Sequence, residues 1–234
     1  MRVFDTPNSR TPEVHLLSNG RYHLAISNAG GGYSRWRDLA VTRWREDGTC
    51  DCWGTFIYLR DAATGEFWSV THQPTLHPTE QYEAIFAGSR VEYRRRKADL
   101  EVRTEICLSP EDDVEIRRVT LTSHSDIERT IELTSYAEVV LAVPGADAAH
   151  PVFSNLFVQT EYVPANSAIL CTRRPRSEGE MRPWLLHWIA GEEGARDAIS
   201  CETDRARFVG RGRTPNGHGR SEPRSHARRL ANQR

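Results

Sequence analysis

The amino-acid sequence predicts an all-β protein, a large antiparallel sandwich of two stacked sheets. Three observations carry the prediction. Apolar residues alternate with polar ones along many segments, which is the period of a strand with one buried face. Short runs rich in Gly, Pro, Asn and Asp separate these segments as turns. No helix-period stretch of useful length interrupts them. With ten or more strand candidates in 234 residues, one broad two-sheet domain fits better than a small barrel.

In chain order, the first clear strand covers 22–27 and runs into AGGGYSRWRD, where three consecutive glycines precede an aromatic, arginine-rich stretch. Further strands are expected over 41–46, 55–60, 82–87 and 91–96. The segment LEVRTEICL is the plainest: Leu100, Val102, Thr104, Ile106 and Leu108 share one face, and Glu101, Arg103, Glu105 and Cys107 the other. Beyond it the apolar parity shifts from Val114 and Ile116 to Val119 and Leu121, which predicts a bulge near Arg117 and Arg118. SHSDIER supplies a turn, and Ile131 and Leu133 resume the alternation as the far arm of a long hairpin. Strands over 157–162, 168–172 and 184–190 complete the set. The expected organisation is an extension over 1–11, a sandwich over 12–208, and a disordered arginine-rich tail over 209–234.

Composition narrows the function classes. From Arg205 onward there are nine arginines and one acid, a net of +8, which leaves the first 204 residues at −9. An acidic body argues against a nucleic-acid platform. The tail has the composition of a disordered or RNA-binding arm, or of a frame-shifted or truncated end. The apolar runs, such as 137–143 with Glu138 inside it, fall far short of the roughly 20 residues of a membrane span, and the first residues carry no export signal. The five cysteines, Cys50, Cys52, Cys107, Cys171 and Cys201, are odd in number and lack CxxC spacing, so reduced thiols in a cytoplasmic setting are expected. Cys107 and Cys171 are expected in the core.

The triple glycine meets neither the dinucleotide nor the Walker pattern, because no helix follows it and no Gly-Lys-Ser or Gly-Lys-Thr is present. It is either a strand corner or a place where a ligand or another backbone approaches closely. Trp36, Trp44, Trp53 and Trp68, with Tyr33, Phe56, Tyr58 and Phe67, crowd the first third of the chain. Such rings stack on sugar faces while Arg and Asp bind hydroxyls, although core packing uses the same residues. His72 and His77 sit in a loop with no third ligand, so no metal is expected. His150, Phe153 and Asn155 occupy a loop between strands, either functional or packed back on the sandwich.

Four stretches, SNGRYHLAISNAGGGYSRWRDLAVTRWRED, FWSVTHQP, EIRRVTLTSHSDIERTIELTSYAEVVLA and AHPVFSNLFVQTEY, resemble in that order the N-terminal β-sandwich (super-sandwich) domain of glycoside hydrolase family 94, formerly glycosyltransferase family 36. The wording is nearest to the phosphorylase-like region of cyclic β-1,2-glucan synthetases. The resemblance implies an accessory sandwich beside an (α/α)6 catalytic barrel that this chain lacks. It implies β-glucan or oligosaccharide as ligand and inorganic phosphate as co-substrate of the complete enzyme. It also implies a homodimer in which sandwich loops reach the partner's sugar site. No catalytic residue, cofactor or metal is expected here. Gly31, Tyr33, Arg35, Trp36 and Asp38 are the candidates for a surface facing the barrel or a sugar. His150, Phe153, Ser154 and Asn155 are the candidates for sugar contact. A free-standing carbohydrate-binding module is the alternative.

Overall fold

The computed structural model describes residues 1–45, 52–191, 199–208 and 229–231. Its strands are β1 (Arg2–Phe4), β2 (Val14–Ser18), β3 (Tyr22–Ser27), β4 (Gly32–Trp36), β5 (Leu39–Thr42), β6 (Thr55–Asp61), β7 (Phe67–Ser69), β8 (Gln81–Phe86), β9 (Arg90–Lys97), β10 (Leu100–Leu108), β11 (Glu115–Ser123), β12 (Ile131–Ala137) and β13 (Val139–Ala142). Two short helices follow, α1 (Pro144–Ala149) and α2 (Pro151–Asn155), then β14 (Val158–Val163), β15 (Ala168–Arg173), β16 (Trp184–Trp188), β17 (Ser200–Glu202), α3 (Arg205–Phe208) and β18 (Arg229–Ala231).

Three layers result. The outer layer is the sheet β1-β8-β9-β10-β11. Facing it lie two sheets side by side, β13-β5-β4-β3-β2 and β17-β18-β12-β6-β7. Leu24 and Ile26 of β3 meet Phe86, Tyr93 and Ile106 in one core cluster, and Ile57, Leu59 and Trp68 meet Leu100 and Val102 in another. The strand β10 therefore serves both halves. The third layer, β14-β15-β16, packs Ile169 and Cys171 on Ala137, Val139 and Leu141. The pivot is Glu138, where the chain passes from β12 in one sheet to β13 in the other.

The all-β sandwich is as the sequence predicts, and several details differ. Within residues 1–11, β1 pairs with β8 and the Phe4 ring meets Phe86 edge-on at 5.2 Å. β11 carries no bulge: its register with β10 runs unbroken from Leu108↔Glu115 to Leu100↔Ser123. The parity shift has another cause, since Glu115 and Arg117 occupy the inward positions and Ile116 is turned out. β11 and β12 are not two arms of one hairpin either; β12 leaves to pair with β6. Of the expected disordered tail, residues 209–228 and 232–234 lie outside the described residues, while β18 pairs in parallel between β12 and β17. Cys171 is fully buried, whereas Cys107 is half-exposed on the outer face of β10, and Cys50 lies outside the described residues.

Candidate functional site

The glycine run is the turn of the β3–β4 hairpin. Ser27 N–H donates to Gly31 O at 2.7 Å and Gly30 N–H to Ser27 O at 2.9 Å. Gly30 has φ +94°, and a Cβ there would sit 2.4 Å from the Thr71 side chain. A Cβ on Gly32 would sit 2.0 Å from the Ala25 carbonyl oxygen. What approaches these glycines is the protein's own chain: Gln73 N–H reaches Ala29 O, and Gly32 N–H reaches Trp53 O. The strand-corner reading holds, and Gly31 is buried within it.

Alternation along β4 then divides the candidate residues between two faces. Ser34 and Trp36 point toward β11. The Trp36 indole N–H donates to Asp113 at 2.6 Å, and Ser34 Oγ donates to Glu115 at 2.6 Å. Glu115, whose side chain is 11% exposed, also accepts from Tyr22 at 3.1 Å and from Arg117 Nε at 2.6 Å. Burial raises the Glu115 pKa, but Arg117, Ser34 and Tyr22 more than offset it and hold the carboxyl below its usual range. This cluster welds two layers together. Tyr33 and Arg35 project from the opposite face of β4, where the Tyr33 ring lies 5.5 Å from that of Trp44. Asp38 is exposed in the turn between β4 and β5.

The second candidate segment is helical rather than a loop. His150 separates α1 from α2, and prolines at the first position of both helices fix their starts. Ser154 and Asn155 are directed inward. Arg173 Nη1 donates to Ser154 Oγ at 3.2 Å and to its carbonyl at 3.1 Å. Ser154 is therefore a buried post, and its hydroxyl is withdrawn from any sugar. Asn155 accepts a hydrogen bond from Arg43, which also makes a two-point pair with Asp147 at 2.9 and 3.1 Å and reaches Glu138 at 3.5 Å. His150 and Phe153 face solvent, and the Phe153 ring meets Phe157 edge-on at 5.2 Å. Three guanidinium groups, from Arg173, Arg174 and Arg176, lie 5.1–5.7 Å from the Phe157 ring centre.

The two segments meet through residues 43–45: Trp44 touches Tyr33, while Arg43 holds α1 and α2. Two separate groups result, Tyr33 with Trp44 beside β4, and His150 and Phe153 at α2, with Trp44 47% and Phe153 57% exposed. Rings beside guanidinium groups can stack on a sugar or pack against another protein surface. Gly31 and Ser154 are buried, Asn155 is half-buried against Arg43, and Trp36 lies on the β11 side of the sheet, partly exposed. Sequence reasoning missed Arg43, Asp147, Arg173 and the Glu115–Arg117 pair. The signals were an acid inside the apolar run at Glu138 and the shifted parity at Glu115.

No helix among the described residues is long and apolar enough to cross a membrane. The chain matches the family described as Glycosyl hydrolase 94, supersandwich domain, over residues 1–228. It is 40% identical over 214 residues to the cyclic beta-(1,2)-glucan synthase NdvB of Rhizobium meliloti (strain 1021), a match covering 92% of this chain and 8% of that protein. It is 28% identical over 165 residues to the N,N'-diacetylchitobiose phosphorylase of Vibrio furnissii, covering 68% of this chain and 21% of the relative. The solabiose phosphorylase of Paenibacillus borealis is 26% identical over 144 residues, covering 59% and 19%. The chain thus spans less than a quarter of each of these relatives. Layering, register and these matches agree, and the chain belongs to the glycosyl hydrolase 94 supersandwich family.

Proposed function

We propose that this chain is the accessory sandwich of a β-glucan-handling enzyme, and that its Tyr33–Trp44–Phe153 face packs against a catalytic barrel carried elsewhere. The observation that supports this most is the exposure of Trp44 and Phe153 on two segments that the buried Arg43 cluster ties together. Tyr33, Trp44, His150 and Phe153 would contact saccharide at the junction. Inorganic phosphate, the co-substrate implied by the family, belongs to the barrel and has no assigned ligand here. A cytoplasmic location is part of the proposal, supported by the free thiols of Cys107 and Cys201.

The test is association in trans. A family 94 barrel prepared without its own sandwich should co-elute with this chain and bind it more tightly when β-1,2-glucan oligosaccharide is present. Phe153→Asp and Tyr33→Ala should each weaken that association at least tenfold. A chain that ignores the barrel, yet binds oligosaccharide with a fluorescence change lost in Trp44→Ala, is instead a free-standing carbohydrate-binding module.

A further inference from the structure

We propose that Arg173, Arg174 and Arg176, gathered around the Phe157 ring, form a binding site for a phosphate-type dianion, either free or esterified to a saccharide. Their guanidinium carbons lie 5.3, 5.1 and 5.7 Å from the ring centre. β15 ends at Arg173, and the Arg174 N–H donates to Phe157 O at 2.8 Å, so ring and arginines are neighbours just beyond the paired ends of β14 and β15. Pro175 stiffens the chain between Arg174 and Arg176. Phe157 is half-buried, whereas Arg174 and Arg176 are exposed to solvent.

None of the three guanidinium groups makes an ion pair with a carboxylate among the described residues. Glu180 accepts instead from the Arg176 main-chain N–H, and Asp147 is taken by Arg43 and Arg45. Other cations over rings among the described residues are paired or solitary: Arg2 pairs with Glu13 and Lys97 with Glu66, while Arg37 stands alone over Trp36. Phe157 thus collects positive charge that its surroundings leave unbalanced. Arg173 bears the consequence. It is 4% exposed, and its Nη1 donates to the carbonyls of Val140 and Ser154 at 3.1 Å, yet its Nη2 is buried with no hydrogen-bond partner. A buried donor left unmatched is costly. Burial, and next the charge of Arg176, hold the Arg173 pKa below the usual arginine value, and Glu180 counters them with a smaller effect.

The chemistry of the donors selects the ligand. Guanidinium forks bind tetrahedral oxyanions through paired N–H···O bonds, which an ammonium group cannot do. Arg174 and Arg176 supply two such forks at the surface, and Arg173 adds its charge from the interior. A phosphate group carries about −2 charge near neutral pH and presents three terminal oxygens, which suits three cations better than a carboxylate with one charge and two oxygens. The aromatic ring beneath excludes water on one side, so the attraction is stronger than in open solvent. Resting on that ring also orders the two exposed arginines before any ligand arrives, which lowers the entropic cost of binding.

Titration of the 234-residue chain with inorganic phosphate, at constant ionic strength and near neutral pH, should raise the melting temperature along a saturable curve at low millimolar concentration. Acetate at the same ionic strength should not. Arg174→Ser combined with Arg176→Ser should weaken phosphate binding about tenfold or more and leave the ligand-free melting temperature unchanged, because both side chains are exposed. Arg118→Ser, at a side chain 74% exposed on the outer sheet, should bind phosphate as the parent does. Replacing both arginines with lysine keeps the charge but removes the forks, and should retain only part of the affinity. Isothermal calorimetry then compares inorganic phosphate with glucose 6-phosphate. An affinity for the ion at least equal to that for the ester assigns the site to the free ion; tighter binding of the ester, lost in the double serine variant, assigns it to a phosphorylated sugar. No saturable response to either, one that acetate reproduces, or one unchanged in the double serine variant overturns the proposal. No barrel is present in these titrations, so none of their outcomes bears on the association proposed for Tyr33 and Phe153.

Discussion

Gly32 shows how little room a hairpin start can leave. Its amide is donated to Trp53 O, and any Cβ would meet the Ala25 carbonyl, a backbone atom that cannot swing aside. Gly32→Ala should therefore destabilise the fold by about 3 kcal/mol, measured as a lower urea midpoint with unchanged slope. An unchanged midpoint would mean the hairpin can shift. His187 makes a separate prediction. Burial, and secondarily the charge of Arg117, pushes its pKa down to about 4. Above pH 6.5 the imidazole is neutral in both folded and unfolded chains. Between 6.5 and 4 the unfolded chain takes up a proton that the fold refuses, so stability falls as pH falls. The accumulated loss is on the order of 3 kcal/mol at pH 4. Replacing His187 with Gln should flatten the curve between pH 6.5 and 4.5. Carboxylates such as Glu115, already held below 4.5, contribute only at lower pH.

At the scale of elements, β11 is the instructive case. An alternating strand normally directs its apolar residues inward, yet here Glu115 and Arg117 face the opposing layer and Ile116 faces water. The ion pair is acceptable because Ser34, Tyr22 and the Thr55 carbonyl satisfy the remaining donors and acceptors. Glu115→Gln leaves Arg117 without its counter-ion and should cost about 3–5 kcal/mol. Glu115→Leu combined with Arg117→Met should recover most of that loss, because both charges then disappear together. A double-variant loss equal to the sum of the losses of Glu115→Leu and Arg117→Met made singly would show that the two side chains are not coupled. The sequence could register the anomaly in β11 only as a parity shift, for which a bulge is the local explanation. The actual explanation needs Tyr22 and Ser34, about 80 to 90 residues earlier in the chain.

For the whole molecule, the Arg43 cluster is the joint between layers. It links the end of β5 to Glu138 at the sheet crossing, to Asp147 in α1 and to Asn155 in α2. The Arg43 and Asp147 side chains are 6 and 4% exposed, so removing Arg43 leaves the buried Asp147 with Arg45 as its remaining counter-ion, at 3.0 Å. Arg43→Ala should cost about 3–5 kcal/mol. It should also free α1 and α2 locally, so that limited proteolysis cuts first near Leu156 while the β10–β11 hairpin stays intact. Cleavage spread evenly over the chain would contradict the joint. The candidate face depends on the same joint, because Phe153 rides on α2 and Trp44 directly follows Arg43.

By itself the sequence determined many of the strands, the sandwich class and the family. Alternation over 22–27 and 100–108 is a local property of the chain, and both spans recur unchanged as β3 and β10. It also singled out the glycine corner and the 150–155 stretch as candidates. Only the tertiary structure decided which side chains those segments present. Ser154 turns inward to Arg173 and Trp36 turns to the β11 side to meet the exposed Asp113, while Phe153 remains exposed. That division rests on pairing between distant strands and on buried charges seeking counter-ions. Neither leaves a period in the sequence, because each is fixed by a partner many residues away.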